Sequence, residues 1–129
     1  MLEPINDRDV PGYALTTCDQ ARRLIERLGA DNIFLQFDFY HVRIMEGDLG
    51  RRFEENLDLI RHVQISGNPG RHEPDESQEI DYPHLLARVD ALGYDGWVAC
   101  EYTPRTTTLA GLGWLAPYGL PGSSDQRAG

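Results

Sequence analysis

Apolar residues at Ala21, Leu24, Ile25 and Leu28 follow the i, i+3, i+4, i+7 spacing of one helical face and predict a helix over 17–28. Thr17 followed three residues later by Gln20 forms a capping-box pattern, and Gly29 stands where a left-handed residue closes a helix. The run over 33–38 is short and rich in bulky apolar side chains, which predicts a strand. A second helix is predicted from Asp48, with Leu49, Phe53, Leu57 and Ile60 on one side and Arg51, Glu54, Glu55 and Asp58 on the other. A strand over 62–65 follows. Residues 66–79 hold two glycines and two prolines without hydrophobic periodicity and read as a long loop, a kind of segment that often carries function. Asp81 and Pro83 open a third helix, Leu85, Leu86, Val89 and Leu92 give its buried face, and Gly93 ends it. A strand over 97–101 comes next, then a weak helical segment over 107–115. A mobile, irregular tail is expected over 117–129, leaving one domain over 1–116.

With Met1 and Leu2 as a strand stub, the order is strand, helix, strand, helix, strand, helix, strand. Such alternation predicts an α/β fold of parallel βα units covered by helices. No Gly-x-Gly-x-x-Gly turn joins the first strand to the first helix, so a βα barrel is favoured over a dinucleotide-binding sheet. Composition agrees with a packed domain: the 129 residues are 40% hydrophobic and 26% charged. Twelve basic against 21 acidic side chains give a net charge of −9, which offers no basic stripe for phosphates and argues against nucleic acid or an anionic membrane as partner. No stretch approaches the roughly 18 apolar residues of a membrane span, and no basic region followed by an apolar stretch opens the chain, so a cytoplasmic protein is expected. Cys18 and Cys100 lack the count and spacing of a disulfide framework or zinc site and are expected to be free thiols.

Each predicted strand ends on a polar side chain: Glu3, Asp38, Gln64 and Glu101. In a βα barrel the C-terminal ends of the strands form the active-site face. Three carboxylates and an amide oxygen converging there make a hard donor set suited to Mg2+ or Mn2+. Pattern alone leaves this reading beside a plainer one, in which the side chains cap the helices that follow. A cation at such a cluster would offset the mutual repulsion of the carboxylates and polarise a substrate carbonyl, while a neighbouring carboxylate moves a proton. His41 is expected at the start of the loop leaving the second strand. Arg71, in the loop after the Gln64 strand, has the two-pronged geometry that grips a carboxylate, and its alternative is a rigid surface turn. Trp97 and Trp114 are expected in the core. Cys100 alternates with Glu101 and is expected to face a helix, away from the site.

Several runs appear in order along the chain: Glu3-Pro4-Ile5-Asn6, Gln36-Phe37-Asp38-Phe39-Tyr40-His41, Ile44-Met45-Glu46-Gly47-Asp48, Asn68-Pro69-Gly70-Arg71-His72-Glu73-Pro74, and Gly93-Tyr94-Asp95-Gly96-Trp97 leading to Cys100-Glu101-Tyr102. Together they resemble the hydroxypyruvate isomerase family, within the sugar isomerase and epimerase group of TIM barrels. The resemblance implies interconversion of hydroxypyruvate and tartronate semialdehyde through a metal-stabilised enediolate, or action on a related 2-oxo-tetronate. It implies a divalent cation held at Glu3, Asp38, Gln64 and Glu101, with Glu3 and Glu101 as the acid/base pair and His41 and Arg71 as contacts to a small hydroxy-keto acid.

A TIM barrel typically takes about 250 residues. At 129 residues, the chain is expected to be the C-terminal half of a barrel, without the first four βα units. Four parallel strands left open would expose two edges, which favours association with a second copy or with the missing half. A non-catalytic or trans-complementing half-barrel is therefore the alternative to an active isomerase.

Overall fold

The computed structural model describes residues 1–119. Helix α1 (Cys18–Leu28) begins at the predicted capping box, where Thr17 Oγ1 accepts the Gln20 N–H and Gln20 Oε1 accepts the Thr17 N–H. Gly29 ends it with φ +60, a conformation that costs glycine little. Its inward strip is Cys18, Ala21 and Ile25. Leu24 and Leu28 lie on the flank of that strip and stay exposed, contrary to the face read from spacing alone.

Strand β1 (Leu35–Asp38) is followed directly by a short helix, α2 (Phe39–Met45), and then by α3 (Leu49–Asn56). Strand β2 (Ile60–Ile65) starts earlier than expected, so Ile60 belongs to the sheet and not to the preceding helix. The chain leaves the helix at Leu57 and turns through Leu59, whose N–H reaches Asn56 O. Helix α4 (Tyr82–Ala91) has Asp81 as N-cap and Pro83 in its first turn, as predicted. Strand β3 (Trp97–Cys100) precedes a 3-10 helix (Ala110–Tyr118). That helix includes Pro117 and Tyr118, the first residues of the expected tail; residues 120–129 of that segment lie outside the described residues.

The sheet is parallel throughout, in the order β1-β2-β3. Leu2 adds a parallel bridge to Leu35 on the outer side of β1, donating to Phe34 O and accepting from Gln36 N–H, both at 2.8 Å. The expected stub is therefore in place. The four segments form part of a βα barrel. On the helix-covered face, Leu35, Phe37, Val63 and Ile65 pack with Phe39, Phe53 and Tyr82. The Phe37 ring meets Phe39 at 5.1 Å and Phe53 at 5.4 Å, both edge to face.

The other face carries polar residues: Gln36 and Asp38 on β1, and Gln64, paired with Asp38, on β2. Trp97 shares this face on β3, the last strand of the described sheet, and is 81% exposed instead of lying in the core. Trp114 is half-buried against the core. Cys100 pairs with Ile65 on the opposite face, as alternation predicts, yet it is exposed rather than covered by a helix. Both cysteines are free. Among the described residues no helix is long and apolar enough to cross a membrane.

Candidate active site

Asp38 ends β1 and is buried. Its two oxygens do different work. One accepts the Tyr40 N–H at 2.8 Å and caps α2, while the other lies 3.1 Å from Arg71 Nη2. The plainer expectation, a helix cap, thus holds for one Asp38 oxygen, while the other faces the Arg71 guanidinium. Because Asp38 starts a helix at once, His41 lies inside α2 and is buried, not at the start of a loop as expected. One helical turn carries its ring back over the strand end, where Nε2 lies 3.6 Å from Asp38 Oδ2 and 3.9 Å from Glu3 Oε1.

Glu3 is positioned by the Leu2 bridge to β1. One ligand atom each from Glu3, Asp38 and His41 falls within 4.8 Å of the others. Glu101 follows β3, and its N–H continues the ladder to Ile65 O at 3.0 Å. Its half-exposed carboxylate is drawn to this group by Arg71, whose Nη2 reaches Glu101 Oε2 at 2.7 Å as well as Asp38. Gln64 shares the register of Asp38, and its Oε1 accepts from Gln36 Nε2 at 2.6 Å.

Burial and crowding of like charge mark the cluster. Burial pushes the Glu3 carboxyl up to about 7, with the charges of Asp38 and Glu101 adding to the effect. Burial raises Asp38 to about 6 against the opposing pull of the Tyr40 N–H and Arg71. His41 is lowered to about 4, by burial first and by Arg71 second, and is neutral at physiological pH. Glu3 and Asp38, close together and both pushed upward, are oxygen donors that a hard divalent cation suits. Grouped with His41, they supply oxygens that could hold such an ion.

Arg71 adopts a left-handed φ of +54, uncommon outside glycine. Its conformation is held by neighbours: Thr103 N–H donates to Arg71 O at 2.8 Å, and the guanidinium lies 5.1 Å above the Tyr40 ring. The Arg71 Nε is buried and bonds nothing. The loop is pinned further along, where the buried Glu73 carboxylate accepts the Arg105 N–H at 3.0 and 3.3 Å.

Reading the sequence singled out Glu3, Asp38, His41, Gln64, Arg71 and Glu101, but assigned nothing to Asn6, Asp9, Gln36 or Tyr40. Gln36 was within reach, since it sits two residues before Asp38 on the same strand face. Asn6 and Asp9 touch the site through contacts that no local pattern reveals.

A parallel βα sheet with a carboxylate cluster at the C-terminal ends of its strands defines part of a TIM-barrel active-site face. The chain belongs to the xylose isomerase-like TIM barrel family, whose model matches residues 1–118. It is 50% identical over 118 residues to a 2-oxo-tetronate isomerase from Cupriavidus necator and 46% identical over 118 residues to the hydroxypyruvate isomerase of Escherichia coli, covering 92% of this chain and 45% of each relative. Among solved structures, a protein described as an AP endonuclease, family 2, from Brucella melitensis matches with a TM-score of 0.86 at 46% identity, over 90% of this chain and 45% of that one. A 3-keto-D-glucoside 4-epimerase from E. coli matches with a TM-score of 0.73 at 32% identity, over 81% and 38%. The chain thus spans somewhat under half the length of these relatives.

Proposed function

We propose that this chain carries the proton-transfer and carboxylate-gripping side of an isomerase site that interconverts hydroxypyruvate and tartronate semialdehyde. The observation that carries the reading is the convergence of Glu3, Asp38 and His41 within 4.8 Å, with Arg71 joining Asp38 to Glu101. The names of the similar isomerases support the substrate class. Glu3, Asp38, Gln64 and Glu101 would hold Mg2+ or Mn2+, which when bound supplies Lewis-acid polarisation of a substrate carbonyl.

The reaction moves one proton between adjacent carbons. A glutamate takes a proton from C3 of hydroxypyruvate as the electrons pass to the C2 carbonyl oxygen; a second proton moves from the C3 hydroxyl to that oxygen across the enediolate, and a glutamate returns a proton to C2 as the C3 aldehyde forms. Glu3 and Glu101 are assigned this pair of tasks; a carboxyl near 7 is matched to giving and taking protons at neutral pH. His41 would hold a substrate oxygen, and the Arg71 guanidinium the substrate carboxylate. A 2-oxo-tetronate offers the same carboxylate and carbonyl with one more carbon and is the competing substrate.

Isomerisation of hydroxypyruvate by the purified chain, with Mg2+ or Mn2+, tests this. Turnover abolished by a chelator and by Glu101→Gln is expected, and running a 2-oxo-tetronate beside hydroxypyruvate ranks the two substrates. A folded, cation-binding chain without turnover overturns the reading for the chain alone. It would favour the second reading, a half-barrel that works only when paired, for which the exposed Trp97 on β3 speaks.

A further inference from the structure

Asn6 is wholly buried three residues after Glu3, and its amide is tied in one direction. The carbonyl Oδ1 accepts the Asp9 N–H at 2.8 Å, which turns Nδ2 the other way. Nδ2 donates to Asp9 Oδ2 at 3.0 Å and faces His41 Nδ1 at 2.7 Å. The backbone N–H of Asn6 points at the same ring nitrogen from 3.3 Å. Asp9 is itself fixed by the Tyr40 hydroxyl, which donates to Oδ2 at 2.8 Å.

His41 Nδ1 therefore meets two donors and must offer them its lone pair. A neutral imidazole with its lone pair committed at Nδ1 carries its proton on Nε2, the nitrogen that faces Asp38 and Glu3. We propose that Asn6 is a positioning residue that locks His41 as the Nε2–H tautomer, so that this ring presents an N–H donor, and not a lone pair, to the carboxylate cluster. The consequence is a division of labour that proximity alone does not reveal. His41 lies close enough to Glu3 and Asp38 to complete a three-ligand group, yet its proton excludes it from the donors to a cation and reserves it for an oxygen of the substrate. That use of the donor rests on the isomerase reading above, whereas the tautomer does not.

Long-range proton–nitrogen correlation NMR on the histidine-15N-labelled chain reads the tautomer, with His41→Gln identifying the signals among the four histidines. The expected wild-type spectrum shows His41 with a protonated Nε2 and an unprotonated Nδ1; a protonated Nδ1 overturns the proposal. Exchanging the two partners, Asn6→Asp with Asp9→Asn, reverses the donor pattern at unchanged net charge. It is expected to move the proton to Nδ1 and to free the Nε2 lone pair, raising Zn2+ affinity by about tenfold in competition with a chromophoric chelator. An unchanged Nε2–H ring in the exchanged protein overturns the role of Asn6. Should the exchanged protein not fold, Asn6→Ala decides, since it keeps only the backbone donor: a mixture of tautomers is expected, and a pure Nε2–H ring overturns the role. Loss of the isomerase reading would leave these spectra unchanged, so the two can fail separately.

Discussion

Arg71 Nη2 lies 3.1 Å from Asp38 Oδ2, and the Asp38 side chain has no solvent exposure, so a permanent cation is held against a buried carboxylate. The same nitrogen reaches Glu101, which makes Arg71 the positive charge that offsets the cluster in the cation-free chain. A divalent ion held by these carboxylates would compete with the guanidinium for the same oxygens.

Arg71→Lys keeps the charge but removes the planar fork. KM for hydroxypyruvate is expected to rise roughly 10- to 100-fold, matching about 1.5–3 kcal/mol for hydrogen bonds to a charged group, with a smaller change in kcat. Arg71→Met removes the competing charge, so Mn2+ should bind more tightly to this variant in calorimetric titration. Weaker Mn2+ binding would show that Arg71 supports the ion site instead of competing with it.

The raised carboxyls make stability fall as pH rises. In the unfolded chain Glu3 and Asp38 ionise near 4.5 and 3.8, whereas in the fold they hold their protons to about 7 and 6. Over that interval the native state binds more protons, and stability declines with pH. His41 acts oppositely between about 4 and its ordinary 6.5, offsetting one of the two carboxyls and leaving Glu3 dominant. Asp75, held down to about 2 by Arg105 and Ser77 against the effect of burial, stabilises the fold throughout that interval and loses this contribution only as pH falls from about 3.8 toward 2. In chelator, the melting temperature is expected to drop from pH 5 to pH 7. Glu3→Gln should flatten the decline, and saturating Mg2+ should reverse it. A rise over this range in the cation-free chain would contradict the assigned protonation.

Much of this arrangement is legible in the residues themselves. Short apolar runs ending on Asp38, Gln64 and Glu101 gave both the parallel sheet and its polar end, because strand alternation settles which side chains share a face. Helix α2 is not legible in the residues because Phe39 to Met45 extends the apolar run of β1, and its start signal, Asp38, serves equally as the polar end of that strand. Ile60 continues the helical spacing of Phe53 and Leu57, and only the turn at Leu59 shows that it has passed into the sheet. Trp97, Leu24 and Leu28 look like core residues by type, but burial depends on what lies opposite, which spacing does not reveal. The bond between Asn6 and His41 spans 35 residues and arises only when the stub docks on β1.

Glu73 joins the Arg71 loop to the segment after β3. Its buried carboxylate takes the Arg105 N–H and pairs with the Arg105 guanidinium at 3.3 Å. Glu73→Ala leaves that backbone donor without its partner and is expected to cost roughly 2 kcal/mol in urea unfolding. Gly111→Ala should also destabilise the chain, because an added Cβ would stand 2.5 Å from Glu73 Oε1. Wild-type stability in both variants would show that the loop is held by other contacts.

In the described sheet β3 pairs only with β2, and Trp97 and Val98 are exposed along it. A parallel strand with a free ladder of N–H and C=O groups beside a large apolar ring is a template for another strand. The purified chain is expected to sediment as an associated species at micromolar concentration. Val98→Lys, on the edge strand, should shift it toward monomer by placing a solvated charge where a partner strand must approach. Val98 is only partly buried and Lys can extend its head into water, so the melting temperature of dilute protein should change little. A monomer at all concentrations in the wild type would show that this edge does not recruit a second copy of the chain.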